Sequence, residues 1–159
     1  MLGKIKTFND LVNLIVLCEN SENRFPPIKL GAISSRFRNA AEDIREQIGE
    51  PVGFDEYDKR VITSYDVILE IGNFGNFVTL NLIMVPDEKR GKGLATKAMK
   101  EFIHLADEQD VPVRLTAKPL DIFGELLSKS QLVAWYSKFG FELQGDDETM
   151  IRQPKSIQP

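Results

Sequence analysis

Cysteine, histidine and tryptophan occur once each in the 159 residues, as Cys18, His104 and Trp135. A single cysteine excludes an intrachain disulfide and fits a reducing compartment such as the cytoplasm. One histidine and one cysteine so far apart offer no zinc-ligand spacing and little support for a Cys–His nucleophile. His104 reads as a solvated side chain off its helix's apolar stripe, and Cys18 as a core residue. Long apolar runs are missing too. "LVNLIVLC" (11–18) is short, is interrupted by Asn13, and has no small-residue cleavage site after it, so neither a membrane span nor a secretory leader is expected. Basic charge is not in excess: 20 Lys and Arg stand against 24 Asp and Glu, net −4, which argues against direct nucleic-acid binding. Internal repeats, low-complexity tracts and a Walker A string are likewise absent.

What is present is an ordinary globular composition, 42% hydrophobic and 28% charged, in a length suited to one domain. Thr7 and Asp10 resemble a capping box before a helix over 8–18. Residues 19–31, with a Pro-Pro pair, read as a loop. Phe37, Ala40, Ala41, Ile44 and Ile48 share one face of a helix over 36–48, stopped by Gly49 and Pro51, and 53–59 read as a loop. From residue 61 the character changes. "VITSYDVILEIG" (61–72) and "FVTLNLIMV" (77–85) are rich in β-branched residues, and "NFGN" between them signals a hairpin. A long helix over 92–109 places Ala95, Ala98, Met99, Phe102, Ile103 and Ala106 on one face. A strand over 111–117, a loop or broken turn over 119–130, a helix over 130–140 and a final strand pair complete the chain. "DEQD" (107–110) reads as a solvated helix end and "GDDE" (145–148) as an acidic turn. We divide the chain into a helical subdomain (1–60) packed on a core (61–154) with a tail (155–159).

The chemistry concentrates in "VPDEKRGKGLATKAM" (85–99). Lysines and an arginine surround two glycines directly before a helix. Helix N-termini leave four N–H groups without partners and carry about half a positive charge, and glycine lets a ligand approach the backbone closely. Such a segment can cradle a pyrophosphate. A Rossmann fingerprint fits poorly. Residues 86–90 intervene between strand and glycines, and the strand at 111–117 ends in Thr116-Ala117 where an acidic residue is needed.

Arg90-x-x-Gly93-x-Ala95 resembles the R/Q-x-x-G-x-G/A signature of the GNAT N-acetyltransferase superfamily, and "WYSKFGFE" (135–142) resembles its second motif, Y-x-x-x-G-F. The resemblance covers about 61–154, and "SKSQLVAWYSKFGF" with the terminal "MIRQP" is similar to small members common in phage and bacterial genomes. It implies a mixed α/β (α+β) fold: a mostly antiparallel twisted sheet, splayed central parallel strands and flanking helices. It implies acetyl-CoA as cofactor, with Met84 and Val85 offering backbone groups to the pantetheine arm. The amides of Gly91, Lys92, Gly93, Leu94, Ala95 and Thr96 would bind the pyrophosphate beside Arg90, and Lys129 could reach a CoA phosphate. Tyr136 would be the general acid toward the thiolate, and a main-chain N–H near Val85 would hold the oxyanion. Many members carry a glutamate on the strand before the signature. Here "FVTLNLIMV" has only Thr79 and Asn81 as polar side chains, so Glu70 and Asp66 on the preceding strand are the candidate bases.

The activity implied is acetyl transfer to a primary amine. The net charge mildly favours a cationic acceptor, a protein lysine or a small amine, with residues 1–60 shaping an acceptor groove or a homodimer contact. The alternative is an inactive CoA-binding or protein-interaction module, such as a phage-encoded regulator.

Overall fold

The computed structural model describes residues 30–53, 58–119 and 127–156, with side chains from residue 35 onward. The expected helix over 8–18, its capping box, most of the 19–31 loop and Cys18 lie outside these residues. Chain order runs α1 (Leu30–Ile48), β1 (Gly49–Pro51), β2 (Arg60–Thr63), β3 (Ile68–Phe74), β4 (Phe77–Met84), α2 (Leu94–Glu108), β5 (Val113–Thr116), α3 (Lys129–Ser137), β6 (Glu142–Leu143) and β7 (Thr149–Arg152). Most of the chain, residues 33–159, clusters as one unit; of the other, 1–32, only the first turn of α1 is described.

The strands form a seven-stranded sheet in the order β1-β2-β3-β4-β5-β7-β6. Every neighbouring pair is antiparallel except β4 and β5, which run parallel and are joined by the α2 crossover. A parallel pair needs such a long connection, whereas β3 and β4 close through the expected tight hairpin. Gly75 takes the left-handed conformation that turn requires, with φ of 55°.

One expectation needs extending and one correcting. Gly49 and Pro51 do stop α1, at Ile48, and do more. They form edge strand β1 against β2, and a Cβ on Gly49 would lie 2.3 Å from the Ile62 carbonyl oxygen, so only glycine fits. The run 61–72 is not one strand. It breaks at Thr63, whose Oγ1 accepts from the main-chain N–H groups of Tyr65 and Val67, and Asp66 turns the chain with φ of 60°. Asp tolerates that region better than most residues, so a β-rich run could conceal a turn.

The core joins α1 (Phe37, Ala41, Ile44), β3 (Leu69, Ile71), β4 (Val78, Leu80), α2 (Ala98, Met99, Phe102, Ala106) and β5 (Val113, Leu115) in one cluster. Each fully buried Leu, Ile, Val or Phe side chain contributes about 1.5–3 kcal/mol relative to exposure. The alternating positions Glu70, Gly72, Thr79, Asn81, Arg114 and Thr116 take the other face of the sheet.

Candidate functional site

The register of β3 against β4 jumps at one place. Glu70 pairs with Leu82 and Ile71 with Leu80, which leaves Asn81 without an opposite residue. An extra residue bends its strand and shifts its pattern by one. Val78 and Leu80 are buried in the core below the bulge; Ile83 and Val85 pack against it above. Pairing of β4 with β5 stops at the same level. It covers only Val78–Leu80 against Val113–Leu115, although β4 continues to Met84. The upper half of β4 therefore has a vacant flank on the β5 side among the described residues.

The bulge also sets where Glu70, one of the two candidate bases, lies. The Asn81 side-chain amide donates to Glu70 Oε1 at 3.3 Å, which brings the neighbouring strand's carboxylate beside β4. Gly72 makes the room: a Cβ there would meet Thr79 Oγ1 at 3.1 Å and Asn81 Nδ2 at 3.4 Å. Asp66, the other candidate base, is held elsewhere, in an ion pair with Lys89. The sequence marks Asn81 only as one of two polar side chains on its strand; the bulge exists only in the paired sheet.

Beyond Met84 the chain passes Val85 and Pro86 into a short 3-10 turn, Asp87–Lys89. Arg90 folds back on this loop, donating from Nε to the Val85 carbonyl at 3.2 Å and pairing with Asp87 at 2.8 Å. Gly91 and Gly93 both adopt left-handed backbone, φ of 75° and 72°, with open space where a Cβ would be. Gly93 is the N-cap of α2 and supplies no side-chain cap. Lys97 N–H returns to the Gly93 carbonyl at 3.2 Å. Among the described residues, the N–H groups from Gly91 through Thr96 donate to no loop carbonyl or side chain. These donors stand at the top of the vacant flank, with Lys92 and Lys97 exposed beside them. Lys97 also lies 5.9 Å from the centroid of the Tyr65 ring.

Tyr136 belongs to the core cluster against which Val85 packs. Edge-on contacts hold its ring, at 5.0 Å from Trp135 and 6.0 Å from Phe141. A capping box sets the helix that carries it: Ser128 Oγ accepts from Gln131 N–H, and Gln131 Oε1 accepts from Ser128 N–H. Burial pushes the phenol up to about 12, and no described residue takes a hydrogen bond from it. Lys129 starts the same helix but pairs with Asp147 at 2.5 Å and Glu148 at 3.4 Å. To reach a phosphate it would have to leave both.

One solvated assignment is overturned. Asp107 of "DEQD" accepts two hydrogen bonds from the buried Arg152, at 2.6 and 2.8 Å, and a third from Lys155 N–H. Arg152 Nε donates to the Phe139 carbonyl at 2.9 Å. Glu108 and Asp110 stay exposed as expected; of the three carboxylates Asp107 alone does not, because β7 delivers a matching guanidinium from far along the chain.

A strand order with one central parallel pair, a helical crossover and a parallel ladder that ends at Leu80 and Leu115 is the architecture the resemblance implied. The fold is GNAT-like. No protein-family model matches the chain, and no curated protein matches it. Among solved structures it is similar to the anti-CRISPR protein AcrVA5, at 20% identity and a TM-score of 0.45, over 54% of this chain and 87% of that one. It is similar to Naa50 of Arabidopsis thaliana in complex with the bisubstrate analogue CoA-Ac-MVNAL, at 13% identity and a TM-score of 0.42, over 92% of each chain. A GNAT-family acetyltransferase from Bacteroides thetaiotaomicron matches at 16% identity and a TM-score of 0.43, over 84% of this chain and 89% of that one. Likeness this distant adds nothing to the chemistry, which rests on this chain's own residues. No helix among the described residues is long and apolar enough to cross a membrane.

Proposed function

We propose that this chain is a GNAT-type N-acetyltransferase that passes an acetyl group from acetyl-CoA to a primary amine. The observation that carries the reading is the run of unengaged N–H donors from Gly91 through Thr96 at the mouth of a gap between parallel strands. Hydrogen bonds to a charged group contribute about 1.5–3 kcal/mol each, so such donors fit a diphosphate. From the loop, β4 offers its vacant flank down to Asn81. The span from Val85 to Asn81 is about 13 Å at the usual strand rise, room for an extended arm to lay its reactive end beside the bulge.

Acetyl-CoA, when bound, supplies an activated thioester. Glu70, oriented by Asn81, takes a proton from the acceptor ammonium, directly or through water. Neutralising an amine of pKa near 10.4 at pH 7 costs about 4.6 kcal/mol, so a nearby carboxylate matters. The amine nitrogen bonds to the carbonyl carbon, the carbon–sulfur bond breaks, and the nitrogen's second proton compensates the sulfur's charge. Tyr136 stays protonated at any working pH. With its phenol near 12 it is a weaker acid than a thiol of about 8.5. Its part is therefore to donate a hydrogen bond to the departing sulfur, and completed proton transfer from it is uphill.

The test is thiol release from acetyl-CoA with a panel of amines. Tyr136→Phe, which removes one hydrogen-bond donor to developing charge, should lower kcat by about 100-fold while acetyl-CoA still binds. Glu70→Gln should lower kcat by about 100-fold while acetyl-CoA still binds. One observation favours a second reading: β4 carries no carboxylate of its own. Saturable acetyl-CoA binding with no turnover on any amine would select the non-catalytic module.

A further inference from the structure

A cavity of about 440 Å³ lies across the last rungs of the β4–β5 pair, lined by Asn73, Phe74, Thr79, Asn81, Arg114 and Thr116 around the backbones of Leu80 and Leu115. Its volume suits a small molecule. Among these lining residues Arg114 alone carries a charge. Its guanidinium sits 5.2 Å from the centroid of the Phe74 ring, an arrangement that fixes the plane and leaves its N–H edges open. No described residue takes a hydrogen bond or ion pair from it. The carboxylate that feels its charge, Asp146, already accepts from Glu148 N–H, Thr149 N–H and Thr149 Oγ1. A half-buried arginine with its fork open and neutral hydrogen-bonding neighbours is built for a carboxylate.

We propose that this cavity binds the acceptor and that the acceptor is a small amino acid, its carboxylate on Arg114 and its amine beside Asn81 and Glu70. The proposal rests on the acetyl-transfer reading above and replaces the cationic acceptor that net charge favoured. Inside the cavity the guanidinium is the only charged lining group and disfavours a polyamine or a lysine side chain there, whatever the sign of the whole chain. The transfer balances as before: nitrogen to carbonyl carbon, sulfur released, one proton to Glu70 and one to the sulfur. The Arg114 contact remains unchanged throughout and so acts on acceptor binding.

The experiment compares matched acceptors with and without the carboxylate: glycine against methylamine, serine against ethanolamine, lysine against cadaverine. Thiol release is followed for wild type, Arg114→Gln and Arg114→Lys. Each amino acid should exceed its partner in kcat/KM by about 10- to 100-fold. Arg114→Gln should erase that ratio through KM, Arg114→Lys should restore part of it, and the acetyl-CoA Kd should stay constant in all three. Equal rates within each pair, or a ratio that survives Arg114→Gln, overturn the proposal and leave acetyl transfer standing. Calorimetry with N-acetylserine against N-acetylethanolamine, with and without CoA, covers the case of no turnover. An Arg114-dependent preference for N-acetylserine supports the carboxylate site even if transfer fails, and no preference overturns it. Absence of saturable acetyl-CoA binding counts against the parent reading alone.

Discussion

The two ends of α2 are opposites. At its C-terminus the carbonyls of Leu105, Ala106 and Asp107 all accept main-chain N–H groups. Asp110 turns left-handed with φ of 52°, Val111 N–H returns to the Ala106 carbonyl at 3.1 Å, and Asp110 N–H to the Asp107 carbonyl at 3.0 Å. Asp107 holds Arg152 and Lys155, and Arg36 reaches the Asp110 carbonyl at 3.0 Å. At its N-terminus there is neither a side-chain cap nor a capping box, although the shorter α3 has both. One helix thus anchors the fold at one end and presents unused hydrogen-bonding capacity at the other. The shorter α3 is fully capped while α2 is bare, and the proposed acetyl-CoA binding makes use of that asymmetry.

Breaking the closed end should cost most. Arg152→Met strands the Asp107 carboxylate, and about 3–5 kcal/mol of stability should be lost in urea denaturation. A loss under about 1 kcal/mol would put the clasp among ordinary surface pairs. The same pair sets an acid response. Burial pushes the Asp107 carboxyl up, but hydrogen bonds from Arg152 and the Lys155 N–H, with their charges, outweigh it and hold the carboxyl below its ordinary range. The folded value is depressed, so the clasp contributes fully above the unfolded value of about 3.9 and is lost as pH falls through the folded one. Wild type should therefore shed stability below about pH 4 more steeply than Arg152→Met.

The open end should respond to ligand instead. Acetyl-CoA at a hundred times its Kd should raise the unfolding free energy by about 2.7 kcal/mol, seen as a rise in Tm. Gly93→Ala meets no neighbour, so its penalty is conformational alone, about 1–2 kcal/mol, and it should also weaken acetyl-CoA. A wild-type Tm indifferent to acetyl-CoA would remove the contrast between the ends. Smallest is the control on α3: Ser128→Ala should cost about 1 kcal/mol without changing the acetyl-CoA Kd.

Much of this was legible residue by residue. The hairpin at Gly75, the amphipathic α2, the final strand pair and the glycines before α2 follow from local rules that need no distant partner. Asn81 was visible as one of two polar side chains on an apolar strand, but not as a bulge. A bulge is a mismatch between two strands and has no meaning in one. The Asp107–Arg152 clasp was hidden for a similar reason: its partners are 45 positions apart, and each alone looks like a solvated charge. Arg114 sat unremarked in "VPVRLTA" because its neighbour Phe74 comes from another strand.

By itself the sequence determined the periodic elements, the α/β crossover and the glycine-broken, donor-rich start of α2, because each depends on backbone preferences within a few residues. Tertiary structure decided where β4 leaves β5, which carboxylate meets Asn81, which charges go underground, and which guanidinium stays open. Those outcomes depend on register and on distance through space, and neither is written in any single stretch of chain.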